Sequence, residues 1–130
     1  MTRQRPSSWI CSNPNCPHEI AKKFNDWVRT ECPDSSFGFL ATDLDFILYN
    51  YNTKKLMLLE IKTRNRPLEF WQEKVFENFS RWLKNGLDKD WTFLGFHIIK
   101  FQNTFFNNGK CYLDNKEITE KELKIFLSKI

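Results

Sequence analysis

Apolar residues along this chain fall into two rhythms, one of period near four and one of short continuous runs. In 18–30, HEIAKKFNDWVRT, Ile20, Phe24, Trp27 and Val28 stand at i, i+4, i+7 and i+8. That spacing predicts an amphipathic helix with the stripe turned to the core. Cys32-Pro33-Asp34-Ser35-Ser36 breaks the pattern, and Phe37 to Leu40 is expected to form a first strand. Phe46-Ile47-Leu48-Tyr49 and Leu56-Met57-Leu58-Leu59 are β-prone runs of strand length flanking the polar Tyr51-Asn52-Thr53-Lys54. Asn52 tolerates turn geometry, so the two runs predict a hairpin whose paired residue numbers sum to about 105.

Further along, Phe70, Trp71, Val75, Phe76, Phe79, Trp82 and Leu83 repeat at three and four, predicting a long helix over Leu68 to Leu87 with a broad core stripe. Pro67 suits its start and Gly86 its end. The run WTFLGFHIIKF, Trp91 to Phe101, is apolar at nearly every position, as in a strand covered on both faces. His97 within it is expected to be a hydrogen-bonded structural residue rather than a base. Asn108-Gly109 marks a turn, Cys111-Tyr112-Leu113 a short return strand, and Asp114-Asn115-Lys116 a second turn. Thr119-x-x-Glu122 is a capping box opening a last helix with Leu123, Phe126 and Leu127 inward. The order predicts an α/β sandwich, a mixed central sheet with helices on its faces.

Polar residues in the hairpin change the picture. In the expected register Asp45 faces Glu60 and Asp43 faces Lys62, and alternation puts Leu58, Glu60 and Lys62 on one face. Opposed residues hold their Cβ atoms roughly 4.5–5.5 Å apart, where like charges are destabilising. Two carboxylates so placed call for a counter-charge, and Mg²⁺, a hard cation held by one or two carboxylates with waters and phosphate, supplies it. Lys62 beside the ion is suited to orient a water or neutralise developing charge. A second Glu-x-Lys, Glu122-Leu123-Lys124, lies on the last helix and is plain charge decoration. The hairpin copy differs because it ends a hydrophobic strand.

These residues, Asp45 and Glu60-Ile61-Lys62 with Glu19 on a preceding helix and Gln72 on a following one, resemble the PD-(D/E)xK nuclease superfamily. That restriction-endonuclease-like group includes small phage and archaeal nucleases and junction resolvases. The resemblance spans about residues 19–76. It implies an αβββαβ core and a Mg²⁺-dependent nuclease, Mn²⁺ serving as well, that hydrolyses phosphodiester bonds in DNA, endonuclease before exonuclease. It also implies metal ligands in Asp45, Glu60 and the carbonyl of Ile61, with Lys62, Glu19 and Gln72 as helpers in catalysis. The chain departs from the pattern in having no Pro before the Asp, because Thr42 precedes Asp43 and Leu44 precedes Asp45. The choice between the aspartates is therefore open, with Asp45 favoured by the register.

Arg64 and Arg66 form a basic connector beside the proposed metal and are candidates to grip backbone phosphates. Glu19 serves equally well as an ordinary first-turn acid. Cys11, Cys16, His18 and Cys32 make up a Cys₃His set accepted by structural zinc. The spacing favours idle thiols, because Cys32 stands alone instead of in a second close pair.

Composition narrows the class. In 130 residues there are 13 Phe, 5 Trp and 3 Tyr against 4 Gly and 5 Pro, so the chain is globular rather than disordered and suits a single domain, 1–130. Net charge is +4, compatible with a polyanionic partner without identifying one. No apolar run reaches membrane-spanning length, and MTRQRPSSWI lacks a signal-peptide core, so an intracellular, cytoplasmic protein is expected, phage-encoded enzymes acting in a host cell included. A homodimer is compatible with paired cuts in a duplex. The competing readings are a non-catalytic nucleic-acid-binding module on the same fold and a small zinc-stabilised interaction protein.

Overall fold

The computed structural model describes residues 17–40 and 42–130, the side chains of 17–22 and 35 excepted. The chain forms two compact units, Met1–Asp45 and Phe46–Ile130.

In the first unit, α1 spans Pro17–Glu31. Pro17 stands at the first helical position, where its missing N–H is one the helix leaves unbonded anyway. The last turn closes with the Cys32 N–H donating to Val28 O at 3.0 Å, and Pro33 then prevents continuation. Of the expected core stripe, Phe24 and Trp27 are 62% and 53% exposed and Val28 is half-buried, while the side chain of Ile20 lies outside the described residues. The rings of Phe24 and Trp27 stack on each other at 5.7 Å. The strand expected over Phe37 to Leu40 is also absent, and a 3₁₀ turn at Ser35–Phe37 takes its start. Local bonds explain the correction: Phe37 N–H donates to Asp34 O and Ser36 Oγ to Asp34 Oδ2, satisfying backbone that a strand would pair elsewhere. Gly38 then takes φ +87, a left-handed conformation outside the range of regular strand backbone.

The second unit is built on a five-stranded mixed sheet in the order β1-β2-β3-β4-β5. These strands are β1 Phe46–Asn50, β2 Lys55–Lys62, β3 Thr92–Phe101, β4 Cys111–Leu113 and β5 Lys116–Ile118, with α2 at Phe70–Gly86 and α3 at Glu120–Leu127. Strands β1 and β2 are antiparallel with Phe46↔Leu59 through Asn50↔Lys55, so the pairs sum to 105 as expected. Their turn is shaped by Asn50, whose Oδ1 accepts from Asn52 and Thr53 N–H, and by Lys54 at φ 55. Helix α2 carries the chain over the sheet so that β3 lies parallel to β2. The register shifts once, between Leu56 and Leu58, and Gly95 at φ +95 is the residue in β3 that permits it. Strands β4 and β5 return antiparallel through a two-residue turn, Asp114 at φ 50 and Asn115 at φ 70, a geometry that suits these short polar residues. Strand β5 is not among the expected elements, and its first residue, Lys116, falls in the expected second turn: three residues, two of them charged, leave no apolar rhythm to read.

Alternation splits the sheet into two faces. Met57, Leu59, Ile99, Phe101 and Cys111 form one core with Leu123 of α3. Thr119 caps α3 by accepting from Glu122 N–H at 3.1 Å, and Glu122 returns the bond, so the capping box stands as expected. His97 belongs to this face, its Nδ1 2.6 Å from Asp114 Oδ2 and its Nε2 2.8 Å from Leu94 O. The ring is hydrogen-bonded on both sides, as expected, and its bond to Asp114 links β3 to the β4–β5 turn. The other face is covered by α2, where Phe76 stacks on Phe96 with centroids 4.5 Å apart. The buried stripe of α2 is narrower than expected. Phe70, Phe79 and Trp82 are exposed, whereas Gln72 is buried.

Candidate functional site

The α2 face of the sheet is apolar at one end and polar at the other. Following β2 from Leu56 through Leu58, burial on both faces persists to Glu60, only 4% exposed. A carboxylate that deep needs a charged or hydrogen-bonding partner. Lys62, two residues on and therefore on the same face, sets its Nζ 3.7 Å from Glu60 Oε1. The first turn of α2 delivers Gln72, 8% exposed, whose Oε1 accepts from Lys62 Nζ at 3.3 Å. Glu60, Lys62 and Gln72 are thus brought together by two consecutive elements. The ammonium is held between a carboxylate and an amide oxygen and keeps one further N–H direction.

A buried Glu–Lys pair is a poor device for stability, because desolvation offsets most of the attraction and apolar residues of similar volume do as well or better. It stands at the carboxyl end of a strand whose middle is the buried apolar run Leu56-Met57-Leu58-Leu59.

The connector that follows is unusual in its backbone. Arg64 and Asn65 both take left-handed conformations, φ 56 and 54. Arg64 N–H donates to Asn103 O at 2.7 Å and Asn65 N–H to Phe101 O at 3.3 Å, tying the loop to the end of β3. Arg64 and Arg66 are exposed.

The remaining expected residues are less gathered. Asp45, the last residue of the first unit, is half-buried and stands directly before β1, while Asp43 is exposed. Glu19 lies in α1 with its side chain outside the described residues, and the same holds for His18. Cys11 and Cys16 fall outside the described residues altogether, and Cys32 is a half-buried free thiol. Among the described residues no group of three or more His, Cys, Asp or Glu side chains is placed to hold a metal ion. A site of two carboxylates and a main-chain carbonyl would not form such a group.

Two electrostatic features lie apart from the site. The Lys54 ammonium and Asp90 carboxylate form an exposed ion pair that raises the first pKa and lowers the second, mainly through their hydrogen bond. Burial pushes the Cys111 thiol up, leaving it protonated within the core.

One residue of this face has no place in the sequence reading. Lys100 pairs with Lys62 in the parallel register, so the two ammonium stems leave adjacent strands on the same side. The only available signal is that Lys100 is the one lysine in the apolar run from Trp91 to Phe101, and nothing local links it to Lys62.

Compared with family models, curated proteins and solved structures, the chain matches none. Among the described residues no helix is long and apolar enough to cross a membrane.

Proposed function

We propose that the chain is a metal-dependent nuclease that cleaves DNA endonucleolytically, of the PD-(D/E)xK kind that its hairpin motif resembles. The observation that carries this reading is the buried Glu60 carboxylate, joined by Lys62 and Gln72 at the carboxyl end of β2. The donor set fits a hard cation: the Glu60 carboxylate, the Ile61 carbonyl and Asp45, taken as the second carboxylate on the register expected from the sequence, are all oxygen ligands. Mg²⁺ or Mn²⁺ held there would polarise a phosphodiester oxygen and lower the pKa of a bound water.

The chain's own residues supply the rest. Glu60 fixes the Lys62 ammonium from one side and Gln72 from the other, so its remaining N–H is aimed without rotamer searching. That N–H donates to the attacking water or to a phosphate oxygen, where negative charge develops. Arg64 and Arg66 hold the strand through its phosphates, which orients the substrate without reading its sequence.

Labelled linear, circular, single-stranded and four-way DNA incubated with Mg²⁺ or Mn²⁺ tests the proposal. Cleavage is expected to fall by at least about a hundredfold in Glu60→Gln and in Lys62→Ala, with far-ultraviolet circular dichroism unchanged. Undiminished cleavage in EDTA, or in both variants, overturns it. Metal-independent binding with no cleavage of any substrate supports the binding-module reading instead.

A further inference from the structure

The pairing of Lys62 with Lys100 raises a question that the Glu60–Lys62–Gln72 cluster leaves open. Neighbouring strands lie about 4.8 Å apart, and like charges directly beside each other are destabilising. Lys62 has Glu60 at hand. The hydrogen-bond partner of Lys100 is neutral: its Nζ donates to Asn115 Oδ1 at 3.1 Å. Asn115 is fixed in turn by the two-residue β4–β5 turn, so the ammonium is held in place without being neutralised. The next residue along the same row is Tyr112, paired with Lys100 and half-buried, which adds a phenolic donor. Past the ends of β2 and β3 the loop bearing Arg64 and Arg66 is anchored to Phe101 and Asn103. Positive charge and hydrogen-bond donors therefore run across the sheet, from β2 to β4, at the carboxyl ends of two parallel strands. That is where open α/β sheets place their ligands.

We propose that Lys100, with Tyr112 beside it and Asn115 holding it, forms a second anion subsite that receives a backbone phosphate flanking the one at Lys62. This rests on the reading of the α2 face as a nucleic-acid site. It assigns the direction of the bound strand, across the sheet towards β4 rather than along β2. Phosphates bound at the two lysines offset the repulsion between them, so the pair is satisfied in the complex.

The test is equilibrium binding of a short fluorescent DNA duplex in EDTA by the Glu60→Gln protein, with and without Lys100→Gln, over a range of salt concentrations. Lys100→Gln is expected to weaken binding several-fold and to make the slope of log affinity against log salt shallower by about 0.9, one phosphate contact. Lys100→Arg is expected to retain affinity, and Lys84→Gln, the same charge change at the far end of α2, to leave the slope unchanged. Equal affinity and slope with and without Lys100, an equal loss in Lys84→Gln, or no duplex binding at all overturns the subsite. The two proposals fail separately. Cleavage that needs Glu60 but ignores Lys100 removes the subsite alone, whereas Lys100-dependent binding without cleavage in Mg²⁺ removes the nuclease alone.

Discussion

Arg64 shows how a single backbone angle bears on function. A non-glycine residue in the left-handed region costs roughly 1–2 kcal/mol, and Arg lacks the short polar side chain by which an Asn, such as the neighbouring Asn65, tolerates that region. The bonds to Asn103 O and Phe101 O hold both residues there. Strain of this kind persists where the surrounding structure imposes it, commonly at ligand sites. Arg64→Gly removes the strain and adds chain entropy to the unfolded state, two effects of similar size and opposite sign. Chemical denaturation is expected to find stability within about 1 kcal/mol of the parent, while duplex affinity falls several-fold. A large loss of stability with affinity intact would show that Arg64 serves the loop rather than the phosphate. The residues of the cluster were legible to different degrees. Glu60 and Lys62 share a face by alternation alone, which any strand enforces. Gln72 came from the resemblance, and only the tertiary crossing of α2 over β2 brings it within 3.3 Å of Lys62. Lys100 was not legible, because its neighbour is fixed by parallel pairing across an intervening helix, in a register that shifts near Gly95.

Elements were readable where their bonds are local. The β1–β2 hairpin closes on itself through a short turn, so the spacing of its apolar runs dictated the register, even though Asn50 rather than Asn52 supplies the side chain that shapes the turn. Elements whose identity depends on distant partners were harder. Phe37 to Leu40 has strand composition, yet Asp34 and Ser36 offer nearer bonds and the segment turns instead. Helix α2 shows the same limit in packing. Its aromatic residues recur at helical spacing, but a helix lying on a sheet buries a narrow arc, and Gln72 and Phe76 occupy it. The energetic consequence is specific. Phe76→Ala is expected to cost about 3–5 kcal/mol, from lost burial, a cavity and the broken stack on Phe96. Phe70→Ala and Trp82→Ala, on exposed parts of the same helix, are expected to change stability by no more than about 0.5 kcal/mol. Urea unfolding of the three variants reads the difference directly, and similar losses in all three would place the broad aromatic stripe in the core after all.

At the scale of the whole molecule, the division of the chain at Asp45 and Phe46 separates scaffold from one part of the proposed chemistry. All of the sheet, both helices that cover it and every member of the buried core lie in 46–130. Glu60, Lys62, Gln72, Lys100 and the arginine loop lie there too, so the binding face proposed above is built from residues of this unit. The first unit holds Glu19 and Asp45, the acids that the nuclease reading adds from outside the sheet. A fragment of residues 46–130 is therefore expected to unfold in one cooperative thermal transition and to bind duplex DNA with the Lys100 dependence of the full chain. It is expected to cleave nothing in Mg²⁺, having lost the second carboxylate. Restoring residues from 42 onward adds back Asp45 without α1, and cleavage recovered at that step would assign the essential acid to Asp45 rather than Glu19. Cleavage by 46–130 itself would mean that Glu60 and residues of the sheet complete the metal site without either acid. The role of Asp45 would then be structural, setting the start of β1.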